Sequence, residues 1–266
     1  MKNLPKLVVF SDLDGTLLDH DTYLWDAAQP ALDRLASLHV PVILASSKTA
    51  TEISMLQSAM GLNQFPAIVE NGAGIIGIPD EATNETYGKL CDCLEALPHE
   101  LRQAFRGFGD MTPDEVSSLT GLSRGDAIHA MTRGYSEPGI WSGDAALLDQ
   151  FTSALADHSI VAQRGGRFLT LSFGRTKADA MDDVMAALDA ELSLALGDAP
   201  NDIAMLQKAD HGVIVANPNH SALPEIEGEA DGRIDRTTKA GPSGWNAAVN
   251  AYLDMLMLTK GRHLNG

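Results

Sequence analysis

The sequence predicts an α/β protein in which a core built on a parallel sheet is interrupted by a second, inserted α/β domain. Three observations lead there. Short apolar runs alternate with helix-periodic segments at both ends of the chain, those runs end in polar or acidic residues, and the texture changes between about Ala82 and Phe173.

Leu7 to Phe10 forms a continuous apolar strand, and Ala28, Ala31, Leu32, Leu35 and Leu38 then recur at helical spacing. "VPVILAS", Val40 to Ser46, is a second buried strand. Ile53, Leu56 and Met60 mark a helix closed by Gly61, and "PAIVE" begins a third strand. After the interruption a helix starts at Lys177 (Ala180, Val184, Ala187, Leu188). The strand "LSLALGD", a short helix near Ala204 and Leu206, and the strand "GVIVAN" follow. Strands alternating with helices imply a parallel sheet covered on both faces, with the site off the carboxyl ends of its strands. In the inserted region "MTPDEV" offers Thr112 as N-cap, Pro113 at the first helical position and Glu115 as capping-box partner. Helical pieces at 127–131 and 146–155 precede two strands, "SIVAQ" and the alternating "RFLTLSF". The core is therefore assigned to 1–82 and 174–266, and the insertion to 83–173.

The 266 residues carry 19 Lys and Arg against 36 Asp and Glu, a formal charge of −17. Such a surface repels polyanions, which argues against nucleic acid and anionic membrane as partners. Cys91 and Cys93 stand one residue apart, a spacing suited to neither a long-loop disulfide nor a common metal site, so they read as thiols in a reducing cytosol. The apolar runs fall short of a membrane span, and Asp12 and Asp14 interrupt the first before it resembles a signal sequence. The expectation is a soluble cytoplasmic protein, monomeric or homodimeric.

Asp12 and Asp14 lie two residues apart at the end of the first strand, where alternation on an extended segment would point both into one crevice. Two carboxylates repel; a hard divalent cation such as Mg²⁺ relieves this, since it prefers oxygen ligands and is commonly shared with a substrate phosphate. One carboxylate then attacks phosphorus, and the other protonates the leaving alkoxide and activates water. Taken alone, "DLDG" also reads as a strand-ending turn. Three further groups sit at other strand or helix ends: Ser46 after the second strand, Lys177 opening a helix, and the Asp198 and Asp202 carboxylates of "GDAPND". Singly these are a helix-entry hydroxyl, a surface lysine and a Pro-containing turn. Together they supply the hydroxyl, cation and carboxylates that phosphoryl transfer requires.

With these motifs the sequence resembles the haloacid dehalogenase superfamily, whose fold is a Rossmann-like core carrying an α/β cap. "DLDGT" resembles its first motif, Ser46 the second, Lys177 the third and "GDAPND" the fourth. The resemblance implies Asp12 as nucleophile, Asp14 as acid/base, and Ser46 and Lys177 as phosphate-site residues. It implies a Mg²⁺ site from Asp12, the backbone carbonyl of Asp14 and Asp198, with Asp202 supporting, and a cap that closes over small substrates. A closer likeness, to the mannosyl-3-phosphoglycerate phosphatase family, runs through "SSKTATEI", "ENGAGI", "FGDMTPDEVSSLTGL", "RGYSEP" and "QRGGRFLTL". It implies a phosphorylated glycosylglycerate as substrate, with Ser47, Lys48, Arg164, Gly165, Gly166, Arg167 and Asn201 as binding residues.

Arg164, Arg167, Arg175 and Lys177 form a basic cluster in an acidic chain, suited to a ligand bearing phosphate and carboxylate. The same arginines also fit the exposed side of a sheet. Mannosyl and glucosyl substrates are not separable here. The rival readings are a broad sugar-phosphate phosphatase, an aspartate-phosphorylated regulator and a sugar-phosphate binder without turnover. Trp25, Trp141 and Trp245 are too scattered for an aromatic platform, His129 reads as structural, and Met181, Met185 and Leu188 as core-facing.

Overall fold

The computed structural model describes residues 6–79, 85–219 and 221–262. The chain divides into two compact units: Met1–Ser46, Gln64–Ala67 and Lys177–Gly266 form one, and Ser47–Asn63 with Ile68–Thr176 the other. The expected insertion, 83–173, falls within the numbering of the second unit, which also includes the helix closed by Gly61. The expected boundary at 82/83 lies outside the described residues.

In chain order, β1 (Leu7–Ser11) leads to α1 (Gln29–Ser37), β2 (Val42–Leu44), α2 (Ala50–Met60), β3 (Ala67–Val69) and β4 (Gly74–Ile76). Next come α3 (Thr86–Glu95), α4 (His99–Ala104), β5 (Phe105–Gly107), α5 (Pro113–Thr120), α6 (Arg124–Met131), β6 (Ser136–Trp141), α7 (Ala145–Ala156), β7 (Val161–Gly165) and β8 (Phe168–Ser172). The chain closes with α8 (Lys177–Ala187), β9 (Leu192–Gly197), α9 (Ile203–Lys208), β10 (His211–Ala216), β11 (Ile234–Ala240) and α10 (Gly241–Arg262). No helix among the described residues is long and apolar enough to cross a membrane.

The first unit is built on a five-stranded sheet of order β11-β10-β9-β1-β2, parallel throughout. Every residue of β1 and β2 is buried, which is why both read as unbroken apolar runs rather than alternating ones. From β1 the chain moves to β2 on one side and later returns to β9 on the other. This reversal makes the carboxyl ends of β1 and β9 the crevice of the sheet. Leu196 of β9 is in register with Ser11, and Asp12 N–H still donates to the Leu196 carbonyl at 2.9 Å. Two chain segments separated by most of the sequence thus emerge side by side.

The fully buried Trp245 of α10 donates its indole N–H to Ser11 Oγ at 2.9 Å, and Ser11 Oγ donates to the Asp12 carbonyl at 2.7 Å. That tryptophan is a structural brace at the base of the crevice. Met181 faces the core fully, whereas Met185 and Leu188 are half-buried. The expected third strand, β3, differs from its assignment: it pairs with β4 in a separate two-stranded sheet. Positive φ at Glu70 (50°), Asn71 (60°) and Gly72 (97°) turns the chain back as soon as β3 ends.

The second unit contains a four-stranded sheet, β5-β6-β8-β7, whose pairs are antiparallel. Leu169 and Leu171 pack with Leu90, Leu94, Phe105, Phe151 and Leu155 from α3, β5 and α7. Their neighbour Phe168 meets Phe108 edge-on, at 5.3 Å between ring centroids, within a smaller cluster containing Val116 and Ala127 of α5 and α6. Alternation along β8 accordingly sends successive side chains to two apolar clusters. The capping box expected at α5 is present, with Thr112 accepting from the Glu115 amide and Glu115 from the Thr112 amide. His129 acts structurally through its carbonyl, which accepts from Thr49 Oγ1 at 2.9 Å.

Candidate active site

Asp12 leaves β1, Asp198 leaves β9, Asp202 closes the short turn after β9, and Lys177 opens α8. The first unit brings all four together. One carboxylate oxygen from each of Asp12, Asp198 and Asp202 lies within 4.8 Å of the others. Lys177, 1% exposed, donates from Nζ to Asp12 Oδ1 and to Asp202 Oδ1, both at 2.7 Å.

The three acids are held differently. Asp202 accepts Lys177 on Oδ1 and the amides of Asp198 and Ala199 on Oδ2, each at 3.1 Å, so it shapes the turn and aims the lysine. Asp198 accepts Thr16 Oγ1 at 2.8 Å and Asn217 Nδ2 at 2.7 Å. Asp12 accepts Lys177 on Oδ1; among the described residues no hydrogen bond reaches Oδ2, which leaves that oxygen suited to attack. Glycine is required around the cluster. At Gly15 (φ +83°) a Cβ would lie 2.2 Å from Asn217 Nδ2, and at Gly197 it would lie 2.5 Å from the Asp202 Cβ.

One buried lysine set against three buried carboxylates leaves two negative charges uncompensated. Burial pushes the Asp12 carboxyl well above the usual carboxylate range, and Asp202 and Asp198 push it further than Lys177 pulls it back. Burial alone would lower Lys177, but Asp12 and Asp202 outweigh it, and the ammonium is held above its ordinary value. A closely spaced, all-oxygen donor set with this charge excess fits a hard divalent cation such as Mg²⁺. Asp12, Asp198 and Asp202 are together the residues that could hold it, each offering one carboxylate oxygen.

The other expected site residues are placed as follows. Strand β1 ends at Ser11, so Asp12 and the half-buried Asp14 belong to the turn after it, and strand alternation does not orient them. That turn is closed by Gly15 N–H on the Leu18 carbonyl (2.9 Å) and Leu18 N–H on the Leu13 carbonyl (2.8 Å). The Asp14 side chain is not in the acidic cluster. Ser46, buried, follows β2, and the Ala45 amide donates to the Ser11 carbonyl at 2.8 Å. Asn201 is half-buried in the turn that Asp202 closes.

Ser47, Lys48, Arg164, Gly165, Gly166 and Arg167 belong to the second unit. Arg164 to Arg167 are exposed at the β7–β8 connection, where the Arg167 guanidinium donates to the Leu119 carbonyl and lies 6.0 Å from the centroid of the Phe168 ring. Sequence reasoning gave no role to Thr16 or Asn217, although both hold Asp198. Thr16 lies inside the "DLDGT" motif and Asn217 directly after β10, so strand-end position is the signal that marks them.

A family model described as haloacid dehalogenase-like hydrolase matches residues 9–91 and 140–231. Among solved structures, the chain is similar to the sucrose-phosphatase of Synechocystis sp. in complex with sucrose and phosphate, at 18% identity over 94% of this chain and 98% of that one, with a TM-score of 0.61. It is similar also to a haloacid dehalogenase-like hydrolase from Bacteroides thetaiotaomicron (20% identity, 93% and 99% covered, TM-score 0.65). A subclass IIB sugar phosphatase of the same superfamily aligns at 15% identity over 92% and 98%, with a TM-score of 0.59. At these identities the likeness to solved structures is one of fold.

Proposed function

Because the chain belongs to the haloacid dehalogenase-like hydrolase family, we propose that it is a Mg²⁺-dependent phosphatase that removes the 3-phosphate of mannosyl- or glucosyl-3-phosphoglycerate. The observation that carries the phosphatase reading is the buried convergence of Asp12, Lys177, Asp198 and Asp202 at the carboxyl ends of β1 and β9. Asp12 attacks phosphorus, forming a bond from its carboxylate oxygen as the bond from phosphorus to the ester oxygen breaks. Asp14 gives its proton to the departing alkoxide. In the second step Asp14 takes a proton from water, whose oxygen attacks phosphorus, and the Asp12–phosphorus bond breaks to release inorganic phosphate.

Lys177 and Ser46 bind phosphate oxygens, Lys177 also holding Asp12 in place. A bound Mg²⁺ would offset the negative charge that gathers as carboxylate and phosphate approach. Residues 83–173 act as the cap, with Ser47, Lys48, Arg164, Gly165, Gly166, Arg167 and Asn201 contacting substrate. The sequence stretches "SSKTATEI", "RGYSEP" and "QRGGRFLTL" support the glycosylglycerate substrate, and the exposed Arg164 and Arg167 match its carboxylate.

A second reading, a broad sugar-phosphate phosphatase, draws support from the sucrose-phosphatase and subclass IIB sugar phosphatase that share the fold. Hydrolysis rates over a panel of phosphate esters decide between them. The narrow reading expects kcat/KM for mannosyl- or glucosyl-3-phosphoglycerate to exceed that for hexose phosphates by about ten-thousandfold, since a site whose polar groups the wrong ester leaves unpaired rejects it by that order. A flat profile supports the broad enzyme, and no turnover of any ester removes both.

A further inference from the structure

The second unit contains a charged pair that the reaction does not use. Glu70 is 2% exposed and sits at φ 50°, in the left-handed region that side chains other than glycine, asparagine and aspartate seldom occupy. Its carboxylate is fully engaged by one short segment. Oε1 accepts the Gly134 amide at 2.8 Å, and Oε2 accepts the Tyr135 amide at 3.1 Å and Ser136 Oγ at 2.7 Å. Arg133 Nε stands 3.3 Å from Oε2, with the arginine side chain itself 7% exposed. The attachment is reinforced at Gly74, where a Cβ would lie 2.3 Å from the Tyr135 ring, so that segments 70–74 and 133–136 fit only as built.

The outer contacts of this pair converge on the loop that follows Ser46. The Glu70 amide donates to the Lys48 carbonyl at 3.0 Å, and Arg133 Nη1 donates to the Ser47 carbonyl at 3.4 Å. A third tie from the same region runs from Thr49 Oγ1 to the His129 carbonyl at 2.9 Å. Successive carbonyls of one loop are thus held by a strained acid and by the arginine that it neutralises. A buried ion pair contributes little net stability, yet it fixes geometry because neither partner tolerates the loss of the other.

We propose that Glu70 and Arg133 are positioning residues that clamp the Ser47–Lys48 backbone and thereby set the substrate-binding conformation of the loop continuing from Ser46. For its catalytic consequence the proposal rests on the phosphatase reading; the clamp itself stands on the contacts above. It also explains why a residue as costly as glutamate in the left-handed region occurs directly after β3, where glycine or asparagine would turn the chain as well.

The test compares the parent with Glu70→Gln and with the double variant Glu70→Gln/Arg133→Met. The double variant removes both charges and avoids the unpaired buried arginine that could unfold the single one. The first measurement is amide hydrogen exchange over segments 47–52 and 68–74 in the resting protein. The clamp predicts at least tenfold faster exchange there in the double variant, with the β7–β8 region unchanged; parent-like exchange overturns it. The second measurement is steady-state kinetics with a sugar-phosphate ester and inhibition by inorganic phosphate. We expect KM and the phosphate inhibition constant to rise about five- to tenfold.

A variant that had merely lost folded molecules would show a lower apparent kcat with both constants unchanged, and that result also overturns the proposal. If the parent hydrolyses no ester, the phosphatase reading falls by itself, while the exchange data still decide the clamp.

Discussion

Asp12 and Lys177 share one hydrogen bond but fail in different ways when substituted. Asp12→Asn keeps an acceptor for Lys177 Nζ and removes one of the three crowded charges, so the variant is expected to fold with stability equal to or above the parent. Its turnover should fall by roughly a thousandfold or more, because the attacking charge is gone. Lys177→Met leaves Asp12 and Asp202 buried, adjacent and without their common cation. That costs about 3–5 kcal/mol, and activity falls with stability. Thermal melts and single-turnover phosphate release separate the two patterns; a stable but inactive Lys177→Met would show that the lysine is not what holds the acids together. Asp12 and Asp198 were legible from sequence because each follows an apolar run, Lys177 because it opens a helix-periodic one, and Asp202 through the turn motif that it shares with Asp198. Thr16 and Asn217 were not given a role, since a hydroxyl and an amide at strand ends have many local uses. Only the β10-β9-β1 order makes Asp198 their shared partner. Glu70 was hidden further, because the partners of its carboxylate lie more than sixty residues away and nothing local marks a glutamate as left-handed.

Elements whose pattern matches their environment were the ones sequence could name. β1, β2, β9 and β10 are apolar because they are buried in a parallel sheet, and β8 alternates because its two faces meet different clusters. β6 carries Pro138 and Gly139 in a strand flanked by β5 and β8, and such residues ordinarily argue against a strand. It tolerates Pro138 because β5 ends at Gly107, opposite Gly139. β11 escapes for another reason: it is an edge strand with mostly exposed polar residues, and its register with β10 is irregular between Ile214 and Ala216. Where local chemistry is strong, it is also testable. Thr112→Ala removes the side-chain cap of α5 and should cost about 1 kcal/mol in chemical denaturation. The Thr112 amide first, and the Arg106 guanidinium next, hold the Glu115 carboxyl down at about 2 from an ordinary 4.5. A carboxyl lowered by folding stabilises the folded state above its unfolded value, and that contribution disappears as pH falls from about 4.5 towards 2. Glu115→Gln should therefore flatten the acid limb of the stability profile in that window while leaving the neutral plateau of pH dependence parallel to the parent. An unchanged acid limb would mean that the box does not persist in solution.

For the molecule as a whole, the acidic cluster repeats at short range what the −17 formal charge does at long range: it stores repulsion that a cation relieves. Without a divalent ion the two uncompensated charges sit in the crevice between β1 and β9, on which both halves of the five-stranded sheet depend. Mg²⁺ should therefore raise the melting temperature, with stabilisation following mass action and reaching about 2.7 kcal/mol when the ion is a hundred times its dissociation constant. Asp198→Asn provides the control that separates specific binding from general screening. Removing one charge should make the metal-free variant more stable than the metal-free parent, while the gain on adding Mg²⁺ shrinks to what the same ionic strength of Na⁺ produces. Thr16 accommodates the change by turning its hydroxyl to accept from the new amide nitrogen, while Asn217, whose Oδ1 accepts the Asn219 amide, keeps its orientation and donates to the remaining oxygen. Differential scanning calorimetry of both proteins, at matched ionic strength with and without Mg²⁺, gives four melting temperatures that decide the point. Equal Mg²⁺ gains in parent and variant would place the ion away from Asp198, whereas a gain confined to the parent ties cation binding, stability and the charge balance of the crevice to the same carboxylates.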